Sequence, residues 1–150
     1  FMDHSKMKTE DYLNYLKNEI HSTVFATVDE NGNPVTRVID IMLVKETKLY
    51  FLTAISKPFY KQLKMNPVVS ITGIEGETSM ESFSITLQGR VNEIGSTYLD
   101  EIFEKNPYMA KIYPSVEDRN VLRVFEIYKG VMSIFDLSKK PIYQNVKSFG

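Results

Sequence analysis

Short runs of alternating apolar and polar residues, separated by connections of only a few residues, constrain the fold of this chain most strongly. In residues 82–91 the side chains of Phe83, Ile85 and Leu87 alternate with polar ones, which predicts a strand with one buried and one exposed face. The other predicted strands are 22–28, 35–44, 49–53, 68–73, 123–128 and 131–135. Closing such a sheet removes its exposed edges. The pattern therefore predicts a mainly β fold with six or seven antiparallel strands in a closed or partly closed barrel.

Helical patterns flank these strands. Apolar residues recur at helical spacing between Thr9, the expected N-cap, and Ile20, and Pro58 suits the first turn of a short helix. Further helical segments are predicted at 96–105, 107–112 and 116–121. No internal repeat or low-complexity linker divides the sequence. We therefore expect one domain over residues 1–150, with residues 1–8 and 139–150 as peripheral tails.

Composition argues against several classes of function. Eighteen basic residues against nineteen acidic ones give a formal net charge of −1, which disfavours nucleic-acid binding. There is no cysteine, so disulfides, thiolate nucleophiles and cysteine-ligated metals are ruled out. The longest apolar stretches are too short to span a bilayer, and the charged segment 2–18 does not fit a signal peptide. We expect a cytoplasmic protein that binds neither nucleic acid nor a membrane.

The two histidines are poor candidates for metal binding or hydrolysis. His4 and His21 are far apart in the sequence, and no second ligand lies at a useful spacing from either. The serines occur without a Gly-x-Ser-x-Gly motif, so a hydrolytic triad is not indicated. His21 follows the first helix, where a protonated imidazole stabilises the helix C-terminus. We expect no metal site and a stabilising role for His21.

Two basic features are unusual for their positions. Strand alternation places Arg37 on an otherwise apolar face, where its guanidinium needs either a carboxylate at the sheet edge or a bound anion. Strand 49–53 leads into Ser56 and Lys57 just before a helix, an arrangement that recurs in phosphate sites. Ser56 can equally be a helix cap beside a solvated Lys57. Each feature alone is a weak signal for phosphate binding.

Three segments together resemble the pyridoxamine 5′-phosphate oxidase-like family of FMN-binding split barrels. They are residues 33–38 (Asn-Pro-Val-Thr-Arg-Val), residues 49–57 and residues 87–91 (Leu-Gln-Gly-Arg-Val). The resemblance extends over residues 11–136 and rests on the order and spacing of the segments. It implies an FMN-binding split β-barrel with flanking helices. Within the family, the sequence is most similar to short flavin-binding or nitroreductase-like members of unassigned substrate.

The resemblance also implies the residues of the cofactor site. In this family a strand-two arginine and a Ser/Lys pair hold the FMN phosphate, which implies Arg37, Ser56 and Lys57 here. Two positive charges offset a phosphate dianion. The further cofactor-binding residues that the resemblance implies are Val38, Ile39 and Asp40 beside the isoalloxazine ring, Leu52 and Thr53 along its edge or the ribityl chain, and Ser84 against the ring. Asp40 departs from the apolar residue expected beside a flavin, and Ser84 can equally be a solvated hydroxyl.

In function, the resemblance implies an oxidoreductase in which FMN transfers hydride and a homodimer with the flavin at the subunit interface. The absence of a dinucleotide glycine fingerprint favours FMN over FAD. Pyridoxamine phosphate oxidases carry a C-terminal segment with arginine and tryptophan, and this sequence has no tryptophan, so we expect another substrate. The alternatives are a non-catalytic flavin carrier or sensor, and a haem- or deazaflavin-binding member of the same barrel. A barrel for single-stranded nucleic acid is disfavoured by the net charge.

Overall fold

The centre of the molecule is one antiparallel sheet of eight strands, seen in a computed structural model that describes residues 3–150. The strands are β1 Ser22–Val28, β2 Pro34–Asp40, β3 Leu43–Lys45, β4 Lys48–Ala54, β5 Val68–Glu75, β6 Phe83–Gly95, β7 Leu122–Asp136 and β8 Tyr143–Phe149. Their order across the sheet is β2-β1-β5-β6-β7-β4-β3, and β8 pairs with β7. The predicted fold class, a mainly β split barrel with flanking helices, is confirmed, with eight strands rather than six or seven.

The sheet curls because its two end strands, β2 and β3, follow each other in the sequence. Only Ile41 and Met42 separate them. The amide of Ile41 donates to the carbonyl of His21 at the β1 side (2.8 Å), and the amide of Met42 donates to the carbonyl of Tyr50 in β4 (2.9 Å). The backbone therefore crosses from one end of the sheet to the other within two residues. This crossing divides the single strand predicted at 35–44 into β2 and β3.

β7 is long enough to pair with two strands along one of its edges. Its first half pairs with β4 and its second half with β8, while β6 pairs with most of its other side. The sequence predicted two strands here, broken at Gly130, but Gly130 lies within β7 opposite Gly89. A Cβ at Gly130 would lie 2.3 Å from the carbonyl oxygen of Gln88. This glycine therefore permits close approach of two strands and does not form a turn.

The segment 139–150, expected as a peripheral tail, contains β8. Most side chains of β8 are exposed, and only Phe149 is buried. An edge strand with so few buried side chains has no alternating apolar pattern to reveal it. At the other terminus, His4 stacks on Phe83 at 3.8 Å between ring centroids, and Met7 is buried. Residues 3–8 and β8 are thus part of the fold, and residues 1–2 lie outside the described part.

The helices lie around the sheet. They are α1 Thr9–Tyr15, which continues as a π-helical turn over Leu16–Ile20, then α2 Pro58–Met65, α3 Leu99–Lys105, α4 Met109–Ile112 and α5 Val116–Arg119. The N-cap of α1 is Lys8 rather than Thr9, and Asp11 accepts a hydrogen bond from the Lys8 amide at 2.8 Å. Among residues 3–150, the helices are all too short to cross a membrane.

Two apolar cores meet at β4, whose side chains are buried on both faces. Phe51 points into the barrel and packs against Phe25 and Phe125. On the other face, Leu52 belongs to a second core, which α3, α4 and the start of β7 share. This second core holds the helical segment 99–113 beside the barrel. The arrangement leaves an open groove between β2 and that segment.

Candidate functional site

A groove of about 570 Å³ runs along the free edge of β2. Its other walls are the end of β4, the first turns of α2 and the segment around α4. Its lining includes Arg37, Val38, Ile39, Asp40, Leu52, Thr53 and Lys57. Sequence reasoning proposed all of these as cofactor-binding residues, and the structure brings them to one place. A volume of this size is typical of small-molecule sites.

Arg37 is half-buried in the wall of this groove. Its Nη1 donates to Thr27 Oγ1 at 2.8 Å and to the Phe25 carbonyl at 3.3 Å, and its Nη2 donates to Gln62 Oε1 at 2.8 Å. The guanidinium carbon lies 4.4 Å from the centroid of the Phe59 ring. These contacts hold the side chain against α2. Its Nε donates to no group within residues 3–150.

Arg37 has no carboxylate partner among residues 3–150. None of the ion pairs within the described residues involves this side chain. The alternative prediction, a salt bridge of Arg37 at the sheet edge, is therefore not observed among these residues. Burial lowers the pKa of the guanidinium, although an arginine stays protonated at neutral pH. Lys57 lines the same groove as the residue preceding α2. Within residues 3–150 neither cation at this end of the groove forms an ion pair, although Asp29 and Glu30 line an adjoining cleft together with Lys57.

Ser56 lies just outside this groove. It lines an adjoining cleft of about 370 Å³ together with Lys57 and Lys61. Within residues 3–150 its hydroxyl makes no hydrogen bond, and Lys57 with Pro58 begins α2, so Ser56 does not cap that helix. Lys57 is shared by the cleft and the groove. The structure thus brings Ser56 to the edge of the cationic end and does not bring it inside.

Ser84 lies away from the groove of its own chain. It stands on β6 between Ile74 of β5 and Phe135 of β7, on the outer face of the sheet. Ile74 and Phe135 are exposed there. The structure therefore separates Ser84 from the other residues that were assigned to the cofactor.

The opposite end of the groove carries a carboxylate in a hydrogen-bonded cluster. Asp40 Oδ1 accepts from Ser22 Oγ at 2.6 Å, and Asp40 Oδ2 accepts from the hydroxyl of Tyr108 at 2.7 Å. That hydroxyl also lies 2.7 Å from His21 Nε2, which is 3.5 Å from Asp40 Oδ2. Burial and the hydrogen bond to Asp40 raise the pKa of Tyr108. His21 is therefore paired with side chains near the groove as well as with its helix.

Several groove residues were missed by sequence reasoning. Phe59 and Gln62 line the groove from α2. They are three residues apart and so share a helix face, and this spacing is a signal from which Gln62 could have been predicted. Met42, Met109, Ile112 and Tyr113 form the apolar side of the groove. They come from segments distant in sequence, so no local pattern links them. Within residues 3–150 no three acidic or histidine side chains are grouped closely enough to hold a metal ion.

The barrel and its groove, which is cationic at one end, are typical of proteins that bind a small anionic cofactor. Sequence comparison identifies the family. The family model for pyridoxamine 5′-phosphate oxidase matches residues 9–129. The chain belongs to this family. It is 32% identical over 95 residues to pyridoxine/pyridoxamine 5′-phosphate oxidase from Mannheimia succiniciproducens. The aligned region covers 63% of this chain and 44% of that protein. The chain thus spans less than half the length of this relative.

Solved structures share the fold over nearly the whole chain. A NimC/NimA family protein from Clostridium acetobutylicum is 25% identical with a TM-score of 0.77, covering 94% of this chain and 92% of that one. A haem-binding protein from Mycobacterium smegmatis is 13% identical with a TM-score of 0.69, and the match covers 95% of this chain and 59% of that one. A pyridoxamine 5′-phosphate oxidase-related FMN-binding protein from Nostoc punctiforme is 12% identical with a TM-score of 0.60, and the match covers 93% of this chain and 94% of that one. Together with the family match, these similarities define a flavin-binding type of fold.

Proposed function

We propose that the groove along β2 binds FMN, with the phosphate at Arg37 and Lys57 and the ring toward Asp40. The observation that carries the proposal is the half-buried Arg37, a cation with no carboxylate partner among the described residues. A phosphate dianion would satisfy both cations and accept from the unused Nε donor. The groove therefore suits a ligand with a terminal phosphate.

The dimensions of β2 support this orientation. Arg37 and Asp40 are three residues apart on an extended strand, which separates their Cα atoms by about 10 Å, and both line the groove along the free edge of that strand. A phosphate and an aromatic ring joined by a short polyol chain suit that spacing. The apolar side formed by Met42, Met109 and Ile112 suits a flat ring system. The second phosphate and adenosine of FAD have no glycine-rich turn to receive them in this sequence.

Haem is the second candidate, because one protein of the same fold binds it. No histidine lines the groove of the described chain, although Met and Tyr side chains do. The two cations at one end of the groove, neither in an ion pair within residues 3–150, favour a phosphate ester. A deazaflavin is distinguished from FMN and haem by the visible spectrum of any cofactor that copurifies with the protein.

The proposed activity is that of an FMN-dependent oxidoreductase. Bound FMN would supply hydride chemistry, and the chain would supply position and electrostatics. Its relative from Mannheimia succiniciproducens is named pyridoxine/pyridoxamine 5′-phosphate oxidase. In this chain both groove cations are assigned to the FMN phosphate, and the ring end carries the carboxylate of Asp40. Like charges repel, so we propose a neutral or cationic substrate rather than a phosphate ester.

A homodimer is part of the proposal. The outer face of the sheet has two neighbouring rows of side chains without a single charge, and most of these side chains are exposed. The rows are Val38, Val24, Thr72, Thr86, Ser133 and Val146, and Thr36, Ala26, Ser70, Gln88, Val131 and Ser148. Interface centres are depleted of charge in the same way. Val38 also lines the groove, so a second copy on this face would reach the flavin, and its Ser84 could approach the ring.

The test is a titration of the purified protein with FMN, riboflavin and haemin, followed by absorbance and fluorescence. We expect tight binding of FMN, weak binding of riboflavin, which lacks the phosphate, and no haem spectrum. A protein that ignores FMN, or that binds FMN and riboflavin equally, contradicts the phosphate site. Oxidoreductase activity is tested separately, by anaerobic reduction of the bound flavin and reoxidation with quinone or nitroaromatic acceptors.

A further inference from the structure

Three titratable side chains are connected by hydrogen bonds at the ring end of the groove. Asp40 lines the groove, Tyr108 bridges it to His21, and His21 lies behind Tyr108 with its side chain partly exposed. The Nδ1 atom of His21 lies 3.1 Å from the carbonyl oxygen of Lys17. The cluster therefore forms a continuous path from a helix end at the surface to a carboxylate in the groove.

The number of protons in this path follows from the hydrogen-bond partners. A carbonyl oxygen only accepts, so Nδ1 of His21 carries a proton. The hydroxyl of Tyr108 has one proton but lies 2.7 Å from two acceptors, Asp40 Oδ2 and His21 Nε2. All contacts are satisfied only if one further proton is present. It resides on Nε2, which then donates to Tyr108, or on Asp40, which then donates to Tyr108.

These two satisfied states contain the same atoms. They interconvert when the Nε2 proton moves to the oxygen of Tyr108 while the proton of Tyr108 moves to Asp40. The result is neutral His21, neutral Tyr108 and protonated Asp40. A proton thus crosses the cluster without any side chain changing place.

The backbone of His21 has an unusual conformation. Its φ is 64° and its ψ is −62°, a combination that a residue with a side chain rarely adopts. It terminates the π-helical turn Leu16–Ile20, and its amide donates to the Leu16 carbonyl at 2.7 Å. Such turns recur at functional sites. A histidine at a strained backbone position, with both ring nitrogens in hydrogen bonds, supports a role beyond ending a helix.

We propose that His21, Tyr108 and Asp40 form a proton relay that serves a ligand in the groove, an inference that rests on the proposed flavin function. Bound FMN would supply two electrons and one hydrogen as hydride, and a quinone acceptor would then need one proton to complete its reduction. The carboxyl of Asp40 donates this proton to the quinone oxygen. The carboxylate is reprotonated from His21 through Tyr108. The Tyr108 hydroxyl then turns back to Asp40, and Nε2 of His21, freed from that hydrogen bond, takes a proton from solvent. Asp40 is the proton donor, and Tyr108 and His21 act through it.

Other charged groups do not interrupt this path. Asp40 faces His21 from β2, and Tyr108 faces it from the segment before α4. On its own helix, Lys17 contributes its carbonyl, while its ammonium lines a separate cleft together with Lys105. Burial, with a smaller contribution from Lys105, lowers the pKa of Lys17. The nearest anion for a protonated His21 is therefore Asp40.

The kinetic test compares two oxidants of the dithionite-reduced, FMN-loaded protein. Menadione needs protons to complete its reduction, whereas ferricyanide takes up electrons alone. The ratio of the menadione rate to the ferricyanide rate is expected to fall at least about tenfold in Tyr108→Phe and His21→Gln, which leave the carboxylate of Asp40 in place. In the parent, the menadione rate declines as pH rises, and in Tyr108→Phe this pH dependence is lost. Tyr98→Phe, at an exposed tyrosine outside the groove, is the matched control and keeps the parental ratio and pH profile.

A second measurement needs no flavin. Histidine-selective ¹⁵N NMR observes the two imidazoles of the protein, with His4→Gln used to assign the signals. We expect Asp40→Asn and Tyr108→Phe to shift the Nε2 resonance of His21, because each variant changes a hydrogen-bonding group of the cluster, and to leave both nitrogens of His4 unchanged. An unchanged Nε2 resonance of His21 in both variants overturns the relay, whether or not FMN binds. If FMN binds and the variants keep the parental rate ratio, the relay is also refuted, while failure to bind FMN refutes only the proposed function.

Discussion

The replacement Arg37→Met tests the phosphate site most directly. Methionine retains an unbranched apolar stem against Phe59 but removes the charge and all five donors of the guanidinium. It also removes the hydrogen bonds to Thr27 and Gln62. The variant therefore has two expected effects, one on the fold and one on FMN affinity, which are measured separately.

The effect on the fold is expected to be small. Thr27 Oγ1 donates to Gln62 Oε1 at 2.5 Å, so these two side chains keep each other as partners after Arg37 is removed. The net loss from hydrogen bonds of this type is about 1 kcal/mol in the free energy of unfolding. Loss of charge-assisted hydrogen bonds to the phosphate costs about 1.5 to 3 kcal/mol in binding, which is about tenfold to a hundredfold in affinity.

The assay is fluorescence titration of FMN and of riboflavin with parent, Arg37→Met, Lys57→Met and the double variant. Lys61→Met is the matched control, because Lys61 is an exposed lysine of α2 that lines the adjoining cleft and not the groove. We expect each groove variant to weaken FMN binding and to leave the weak riboflavin affinity nearly unchanged. The double variant should lose less than the product of the single effects, because both cations contact one phosphate.

Equal FMN affinity in the parent and in Arg37→Met would refute the assignment of Arg37 to the phosphate. A parallel loss of FMN and riboflavin affinity would also refute it, since that pattern indicates damage to the groove rather than loss of a phosphate contact. Urea unfolding without ligand separates these outcomes from a simple loss of stability.

Three further predictions follow from the sheet and from one buried carboxylate. Thr86→Lys places a charge in the uncharged outer face and should yield a monomer by light scattering, whereas a lysine introduced in the β1–β2 turn should not; a parent that is already monomeric with flavin bound contradicts the dimer. Gly130→Ala should lower the free energy of unfolding by about 1 to 3 kcal/mol in urea titration, because its Cβ would overlap a carbonyl oxygen of β6. Asp136 is buried; burial would raise its pKa, but hydrogen bonds from Ser138 and His4 outweigh this and lower it. Asp136→Asn should therefore cost about 1.5 to 3 kcal/mol at neutral pH. Its difference from the parent should shrink as pH falls from about 4, where the unfolded carboxyl becomes protonated, down through the lowered pKa of the folded carboxylate; a difference independent of pH excludes this role of the charge.

The position of Arg37 illustrates how far local pattern reaches. Strand alternation alone put its side chain on an apolar face and raised the question of its anion. The order of the motifs then associated it with Lys57 and the end of β4. These inferences succeeded because side-chain direction in a strand has a period of two, which is a property of the local backbone.

Features that depend on distant neighbours were not accessible in the same way. Glycine is a residue typical of turns, but Gly130 lies within β7, where its role is decided by the close approach of β6. β8 has few buried side chains, so only its pairing with β7 defines it. His21 was assigned to the end of a helix, which is correct for Nδ1, whereas the contact of Nε2 with Tyr108 joins residues 87 positions apart.

The sequence by itself determined the strand and helix periodicity, the absence of cysteine chemistry and the set of residues along β2 and after β4, since all of these are local or compositional. Tertiary structure decided which of them share a space. It brought Arg37 and Lys57 into one groove and put Ser84 on the outer face of the sheet. It also connected Asp40 to His21 through Tyr108. The physical reason is that closure of the barrel and packing of the segment 99–113 set distances between groups that no sequence spacing encodes.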